Sequence, residues 1–435
     1  MNLILANTNP DRAARGVFTA ARGRLPGAGA VADARAHAFE AFERAGLPHP
    51  RLEDWKYTDL RALMPEVLPL APHPDAAALV RAEAAVAQTA LEGSAKLVLV
   101  DGVFAPDLSD VAAIGKGVNV RTVREILENP ARADLLISLT TDAMISLNAA
   151  MVTDGVVVTV DDGIALIRPI QIIHVATKPS SSAFTRSHLR LGKGAQATLV
   201  ENFVAADGAS AYQSHDVVIV WIDEGANLSH LRVLADATDA ANISSSIITV
   251  GAKATVNCFN MTCGGAVSRY QGFVTLVGAR SELSVNGVNL LKDSQHGDTM
   301  LLIDHAAPHC TSGETFRAVV DDRGHSVFQG RIIVNAQKAE GTMTIRSLLL
   351  SDAAEADNKP ELQIFADDVT CGHATTSGAL DDSLLFYLRA RGLPEKEAQS
   401  LLIRAFLGEA VEKIADDGLR EFVSAEVARW LETRR

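Results

Sequence analysis

The run Val220-Trp221-Ile222-Asp223-Glu224-Gly225-Ala226-Asn227-Leu228-Ser229-His230-Leu231 decides the fold. A strand-like segment meets a glycine followed by alanine, and a second strand-like segment follows at once. The same texture recurs at Leu189–Leu199 around Gly194, at Ile248–Val256 around Gly251 and at Leu276–Leu283 around Gly278. The glycines are spaced by 31, 26 and 27 residues, a ragged period within the range of repeat architectures. One further unit is expected around Gly324, after an insertion containing His305, His309 and Cys310. Glycine permits the sharp corner, and the small alanine suits a place where successive turns stack. Short strands of this kind cannot bury an apolar face alone, whereas stacked coils bury a continuous one. The reading is a mainly β protein with a parallel β-helix over residues 155–377. The strict six-residue repeat of left-handed hexapeptide solenoids is absent.

Around this core the chain reads as helical. Residues 1–95 form an expected N-terminal helical domain, in which Ala38, Phe39, Phe42 and Ala45 share a face until Gly46 and Pro48 end it. Residues 96–154 are a mixed connecting segment, with a strand at Lys96–Val103 turning at Asp101-Gly102 and helices at Thr122–Leu127 and Leu135–Ala150. Residues 378–435 are a C-terminal helical domain. There Asp381 or Asp382 caps a first helix that Gly392 closes, and Ala398, Leu401, Leu402, Ala405, Phe406 and Ala410 mark one side of the next. Gly418 punctuates before a last helix over Leu419–Glu432. This unit is expected to cap the open end of the β-helix.

Composition narrows the function. The core draws on Ala, Val, Leu and Ile, since 48% of residues are hydrophobic but only 5% aromatic. A net charge of −13 with no basic stripe argues against nucleic acid. Four cysteines in 435 residues make no disulfide framework. The first ten residues lack the charged and apolar regions of a secretory signal, and no run of about 18 apolar residues occurs. The expectation is a soluble cytoplasmic protein away from membranes. No phosphate-binding loop, nucleophile elbow or paired C-x-x-C is found, which argues against an enzyme and places any ATP on a partner. Cys258 and Cys263 read as buried. His305, His309 and Cys310 read as a loop held by shape and hydrogen bonds, with a metal site as the alternative.

The chemistry concentrates in Asp367-Asp368-Val369-Thr370-Cys371-Gly372-His373-Ala374. In an extended chain Cys371 and His373 project to the same face. A thiol beside an imidazole suits a soft metal or a sulfur species, yet two ligands leave a coordination sphere incomplete. A structural cysteine beside a hydrogen-bonded histidine is the plain alternative.

The run Ala366-Asp367-Asp368-Val369-x-Cys371-x-His373, followed by Asp381-Asp382-x-Leu384-x-Phe386-Tyr387-Leu388 and Arg391-Gly392-Leu393, resembles the C-terminal signature of the SufB/SufD family, and of its SufD branch in particular. These are scaffold proteins of the SUF iron–sulfur cluster assembly system. Leu348-Leu349-Leu350-Ser351, Lys359-Pro360 and Trp55-Lys56-Tyr57-Thr58 fit the same family; Ala374 departs from it, standing where glycine is usual. The resemblance implies a right-handed β-helix and a complex with a SufB-like subunit and a SufC-like ABC ATPase. It implies that the chain holds no cofactor stably alone, a transient iron–sulfur cluster arising only in the complex. His373 and Cys371 would be the cluster-assembly and tentative metal residues, shared with the SufB-like subunit. The C-terminal helices, through Leu401, Leu402 and Phe406, would dock the ATPase. The segment Thr344–Leu348 lacks the cysteine expected of the SufB branch. Trp55 and Tyr57 are assigned to packing. A homodimer of the isolated chain stays open. So do two other classes, a β-helix polysaccharide lyase and a self-assembling structural β-helix.

Overall fold

The computed structural model describes residues 10–137 and 140–434; the first nine residues and Ser138–Leu139 lie outside it. Four helices open the described chain, α1 (Pro10–Ala21), α2 (Ala30–Ala45), the short α3 (Leu60–Leu63) and α4 (Ala76–Thr89). Next come β1 (Ala95–Val100), β2 (Val103–Phe104), β3 (Val118–Thr122), α5 (Val123–Leu127) and α6 (Ala143–Met151). The Asp101-Gly102 pair has positive φ at both residues, 49° and 78°, which suits the tight turn between β1 and β2. Among the described residues of the expected Leu135–Ala150 segment, helix structure comprises a 3-10 stretch ending at Leu136 and α6, whose N-cap is Asp142.

The rest is a parallel β-solenoid of about eight turns. Its strands are β4 (Val156–Val160), β5 (Ile170–Ala176), β6 (Ser182–Leu191), β7 (Gln196–Ala205), β8 (Gln213–Ile222), β9 (Asn227–Ala235), β10 (Ala241–Val250), β11 (Thr255–Thr262), β12 (Val267–Leu276), β13 (Glu282–Leu291), β14 (His296–His305), β15 (Thr311–Val320), β16 (His325–Val334), β17 (Ala339–Leu349), β18 (Glu355–Ile364) and β19 (Val369–Gly378). Odd strands from β5 to β19 stack with β1 in one sheet, closed at the start by β2, and even strands from β4 to β18 stack in the other, closed by β3. Three helices follow, α7 (Asp382–Ala390), α8 (Glu395–Val411) and α9 (Asp417–Glu432).

The corners explain the repeat. Gly163, Gly194, Gly225, Lys253, Arg280, His309 and Lys338 occupy one stacked left-handed position, with φ between 56° and 71°. The next residue packs inward and is small at Ala195, Ala226, Ala254, Ser281, Cys310 and Ala339, each at most 1% exposed or fully buried. Gly251 and Gly278 sit two residues earlier in their corners, for a different reason. A Cβ on Gly278 would lie 1.9 Å from the Ala252 nitrogen, and one on Gly251 2.8 Å from the Ile222 oxygen. The glycine spacing was ragged because it mixed these two positions; Asn227 aligns with Thr255, 28 residues on, where the glycines are 26 apart. The expected insertion before Gly324 is corrected likewise. Glu282, Thr311 and Glu340 align at regular steps of 29, and Gly324 lies in the opposite corner, between β15 and β16. His309 and Cys310 are thus ordinary corner residues. Cys310 Sγ accepts from Ser281 Oγ at 3.2 Å, and the buried His305 Nε2 lies 3.0 Å from Ser312 Oγ.

An apolar lumen runs from Leu97 and Val158 through Val220, Ile248, Leu276 and Ile332 to Ile345. The helices clad the flanks. Phe18, Phe39, Phe42, Trp55 and Leu60 pack with α6 on the outer face of the even sheet, at Phe184, Ile243 and Val267. Helices α8 and α9 pack Ile403, Leu407, Val423, Val427 and Trp430 on the outer face of the odd sheet, at Leu231, Phe259, Val288 and Val319. This corrects the expected end cap: the C-terminal helices cover a side because the odd sheet is apolar on both faces. The buried positions of α8 are Ala398, Ile403, Leu407, Ala410 and Val411, while Leu401 and Ala405 face outward, so the expected apolar face is rotated. Gly418 lies within the first turn of α9, which Asp416 caps.

Candidate functional site

Strands β18 and β19 end the two sheets and have no strand beyond them. Few of their side chains are deeply covered, and Ile364 and Phe365 are 44% and 71% exposed. Helix α7 buries no residue. Its N-cap Asp381 accepts from the Ser383 and Leu384 amides at 2.8 and 3.1 Å, and the helix exposes Leu384, Phe386 and Tyr387. The solenoid therefore finishes in an unpaired, largely polar end, with exposed apolar side chains at Ile364 and Phe365 and on α7.

Cys371 and His373 lie on β19, in register with Gly341 and Met343 of β17. Cys371 is half-buried and packs against the lumen core. Its Sγ fills the space over Gly341, 3.5 Å from where a Cβ there would stand. Burial pushes the Cys371 thiol up, the nearby Glu314 carboxyl adds to the rise, and the Gly341 backbone opposes it. His373 is exposed. The pair shares a face but not an environment, one group set into the lumen mouth and the other open to solvent.

The docking residues named from the sequence differ in exposure. Leu401 is 48% exposed and, with Lys396, Ser400 and Arg404, lines a groove of about 610 Å³ between α8 and α9. Leu402 is half-buried, and Phe406 is half-buried under the Arg317 guanidinium. Cys258 is buried, its thiol pushed up to about 12 by burial. Cys263 is only partly covered and lines a groove between α4 and α9.

The two remaining motifs meet near this end. Trp55 is buried, donates to Asp142 Oδ2 at 3.1 Å and lies under the Arg269 guanidinium. Thr58 bonds Asp298, which pairs with Arg269. Lys359 of β18 pairs with Glu53 and, at 2.9 Å, with Glu361, which holds Arg331 at 2.7 Å. The motif thus ties the N-terminal segment to the last even strands, a packing role.

Sequence reasoning missed the polar groups inside the lumen. Glu314 is 2% exposed, neither of its oxygens has a hydrogen-bond partner, and burial pushes it up to about 8. Near the other end, His174 of β5, Glu201 of β7, Asp216 of β8 and Arg232 of β9 converge, all buried. Burial alone would raise Glu201, but Arg232 and His230 hold it below the usual carboxylate range; burial and Glu201 together push Asp216 well above it. The available signal was parity, since Glu201 shares the inward phase of Ala197 and Leu199.

A parallel β-solenoid clad on its flanks by helices is the class of fold, and similarity to known proteins gives the family. Residues 174–406 match the family described as SUF system FeS cluster assembly, SufBD core domain, and residues 26–172 match the SufBD protein N-terminal region. The chain belongs to the SufBD family of iron–sulfur cluster assembly proteins and is SufD-like. It is 32% identical over 396 residues to the iron–sulfur cluster assembly protein SufD of Escherichia coli K12, spanning 89% of this chain and 90% of that one. It is 28% identical to a SufBD family protein of Synechocystis, across 85% and 84% of the two chains. Against SufD of Bacillus subtilis the identity is 27%, across 65% and 66%. No described helix is long and apolar enough to cross a membrane.

Proposed function

We propose that this chain is the SufD-type subunit of a cytoplasmic assembly complex, joined to a SufB-like subunit at the open solenoid end and to a SufC-like ATPase at the C-terminal helices. The nascent cluster is cargo, built at the SufB-like interface with His373 and Cys371 contributing part of its site. The observation that carries this reading is the placement of Cys371 and His373 on a terminal strand with no strand beyond it, in a chain region that also exposes Phe365, Phe386 and Tyr387. One thiol and one imidazole leave coordination positions for a partner to fill. His373 is the stronger contributor, because its exposed ring can ligate iron or hold a sulfur species by hydrogen bonding. Cys371, with a raised thiol pKa and a carboxyl nearby, stays protonated until the complex changes its surroundings.

The test is the iron and sulfide content of the reconstituted three-component complex. His373→Ala should leave folding and association intact while lowering cluster content, and Cys371→Ser should lower it less. Full loading in His373→Ala would remove that residue from the site. The purified chain alone should hydrolyse no ATP, since it carries no phosphate-binding loop.

A further inference from the structure

We propose that His174, Glu201 and Asp216 form a binding site for one divalent transition-metal cation inside the first turns of the solenoid, remote from Cys371 and His373. The three residues come from β5, β7 and β8, and one ligand atom from each lies within 4.8 Å of the others. All are at least nine-tenths buried. Each keeps an atom without a hydrogen-bond partner: His174 Nε2, Glu201 Oε1 and Asp216 Oδ2. Three buried acceptors without hydrogen bonds cost several kcal/mol in desolvation, which the Arg232 guanidinium, its Nε and Nη2 likewise unpartnered, offsets only in part.

The surrounding hydrogen bonds set these atoms as ligands. Thr185 Oγ1 donates to Asp216 Oδ1 at 2.7 Å, so toward His174 Nδ1, 3.4 Å away, it can only accept. That places the His174 proton on Nδ1 and the lone pair on Nε2, which lies 4.0 Å from Asp216 Oδ1, the oxygen that Thr185 also holds. The Phe203 ring stacks on His174 at 4.3 Å and holds its plane. On Glu201, Oε2 is taken by Arg232 and His230, both at 2.5 Å, leaving Oε1 free. The Arg232 guanidinium, bonded to Glu201 and 3.7 Å from Asp216 Oδ2, brings a single positive charge to the two carboxyl groups.

One imidazole nitrogen and two carboxylate oxygens suit zinc, manganese or ferrous iron more than magnesium or calcium, whose shells are all oxygen. Metal–ligand bonds of about 2.0–2.2 Å would draw the three atoms in by roughly 1 Å. A cavity of about 20 Å³ lies on the His174 side of the cluster, lined by Leu99, Gly102, His174, Thr185, Phe203 and Ser214. That is room for one water or one ion at the first, hairpin-bounded end of the lumen.

The experiment uses the purified full chain, stripped with chelator and titrated with Co(II). The expected result is one equivalent bound, with the visible d–d absorption of a low-coordinate nitrogen–oxygen site. Asp216→Asn, which preserves shape, and His174→Phe, which preserves the stack on Phe203, should each weaken binding by at least about tenfold and abolish that absorption. His373→Ala should leave both unchanged, which separates this site from the proposed cluster residues. Should His174→Phe fail to fold, Asp216→Asn decides alone. No uptake by the stripped wild type, or an unchanged spectrum in Asp216→Asn, overturns the proposal and leaves these groups as a hydrated polar cluster.

Discussion

Replacing Glu314 with Gln should make the protein more stable at mildly alkaline pH and change little in mild acid. The carboxyl is 2% exposed and without a hydrogen bond of good geometry, and burial raises it from the usual 4.5 to about 8, the nearby Ser312 hydroxyl opposing only part of the rise. An acid whose folded pKa is raised keeps its proton on folding, while the unfolded chain releases it. Its contribution is therefore neutral below the unfolded pKa and turns increasingly unfavourable as pH climbs toward the folded value. At about 1.4 kcal/mol per unit, the shift sets a ceiling near 5 kcal/mol. Relaxation and water entry bring the realised effect to a few kcal/mol. Glutamine keeps the size and removes the titration. Urea unfolding of both proteins at about pH 5 and about pH 8 measures it, because other groups cancel in the difference between variant and parent. The stability difference should grow by roughly 2–3.5 kcal/mol in favour of Glu314→Gln across that window. A difference that does not depend on pH would falsify the account of Glu314 as a protonated lumen acid.

Other perturbations test the corners, the flanks and the end. Gly278→Ala should destabilise by at least about 1–3 kcal/mol, because the new Cβ would meet the Ala252 backbone at 1.9 Å; a thermal midpoint equal to the parent's speaks against that close approach. Cys310→Ala should cost less than about 1.5 kcal/mol, since alanine fills the same stacked position at Ala254 and Ala339. Cys310→Leu should unfold at clearly lower urea, and equal midpoints for the two would refute the small-residue column. Asp298→Ala should cost about 3–5 kcal/mol by leaving the buried Arg269 without its carboxylate, unless calorimetry finds the loss within surface-mutation range. Leu401→Asp should keep the parent's circular dichroism while weakening capture by a SufC-like ATPase. Deleting residues 394–435 cannot test docking cleanly, because Ile403, Leu407 and Trp430 cover the odd sheet.

The solenoid was legible because every turn must place a left-handed or small residue at the same corner, and Gly225-Ala226 does both. Non-glycine residues in that position, such as Lys253 and His309, left no such mark, so the period came out uneven. The shared face of Cys371 and His373 followed from strand parity. Their unequal exposure depends on Gly341, 30 residues earlier, leaving space that only Cys371 fills. The lumen cluster escaped because strands buried on both faces carry no polar–apolar alternation: Val200, Glu201, Asn202 and Phe203 are all covered. Helix α8 was assigned the wrong face because Leu401, Leu402, Ile403 and Leu407 supply apolar groups around much of it, and the sheet beneath decides between them.

The two ends of the solenoid are unlike, and this sets a limit on stoichiometry. At the start, the antiparallel strands β2 and β3 stop both sheets; at the finish, β18 and β19 leave theirs unpaired. Head-to-tail growth needs each molecule to offer two edges that accept each other. Here only one end offers strand edges of full length, so joining through it is terminal. Two chains meeting there, alike or different, use up each other's edge, and the assembly stops at a pair instead of lengthening into a fibre. A self-polymerising structural β-helix would require the opposite geometry. Any larger particle must then grow sideways, through the clad flanks, where the C-terminal helices lie.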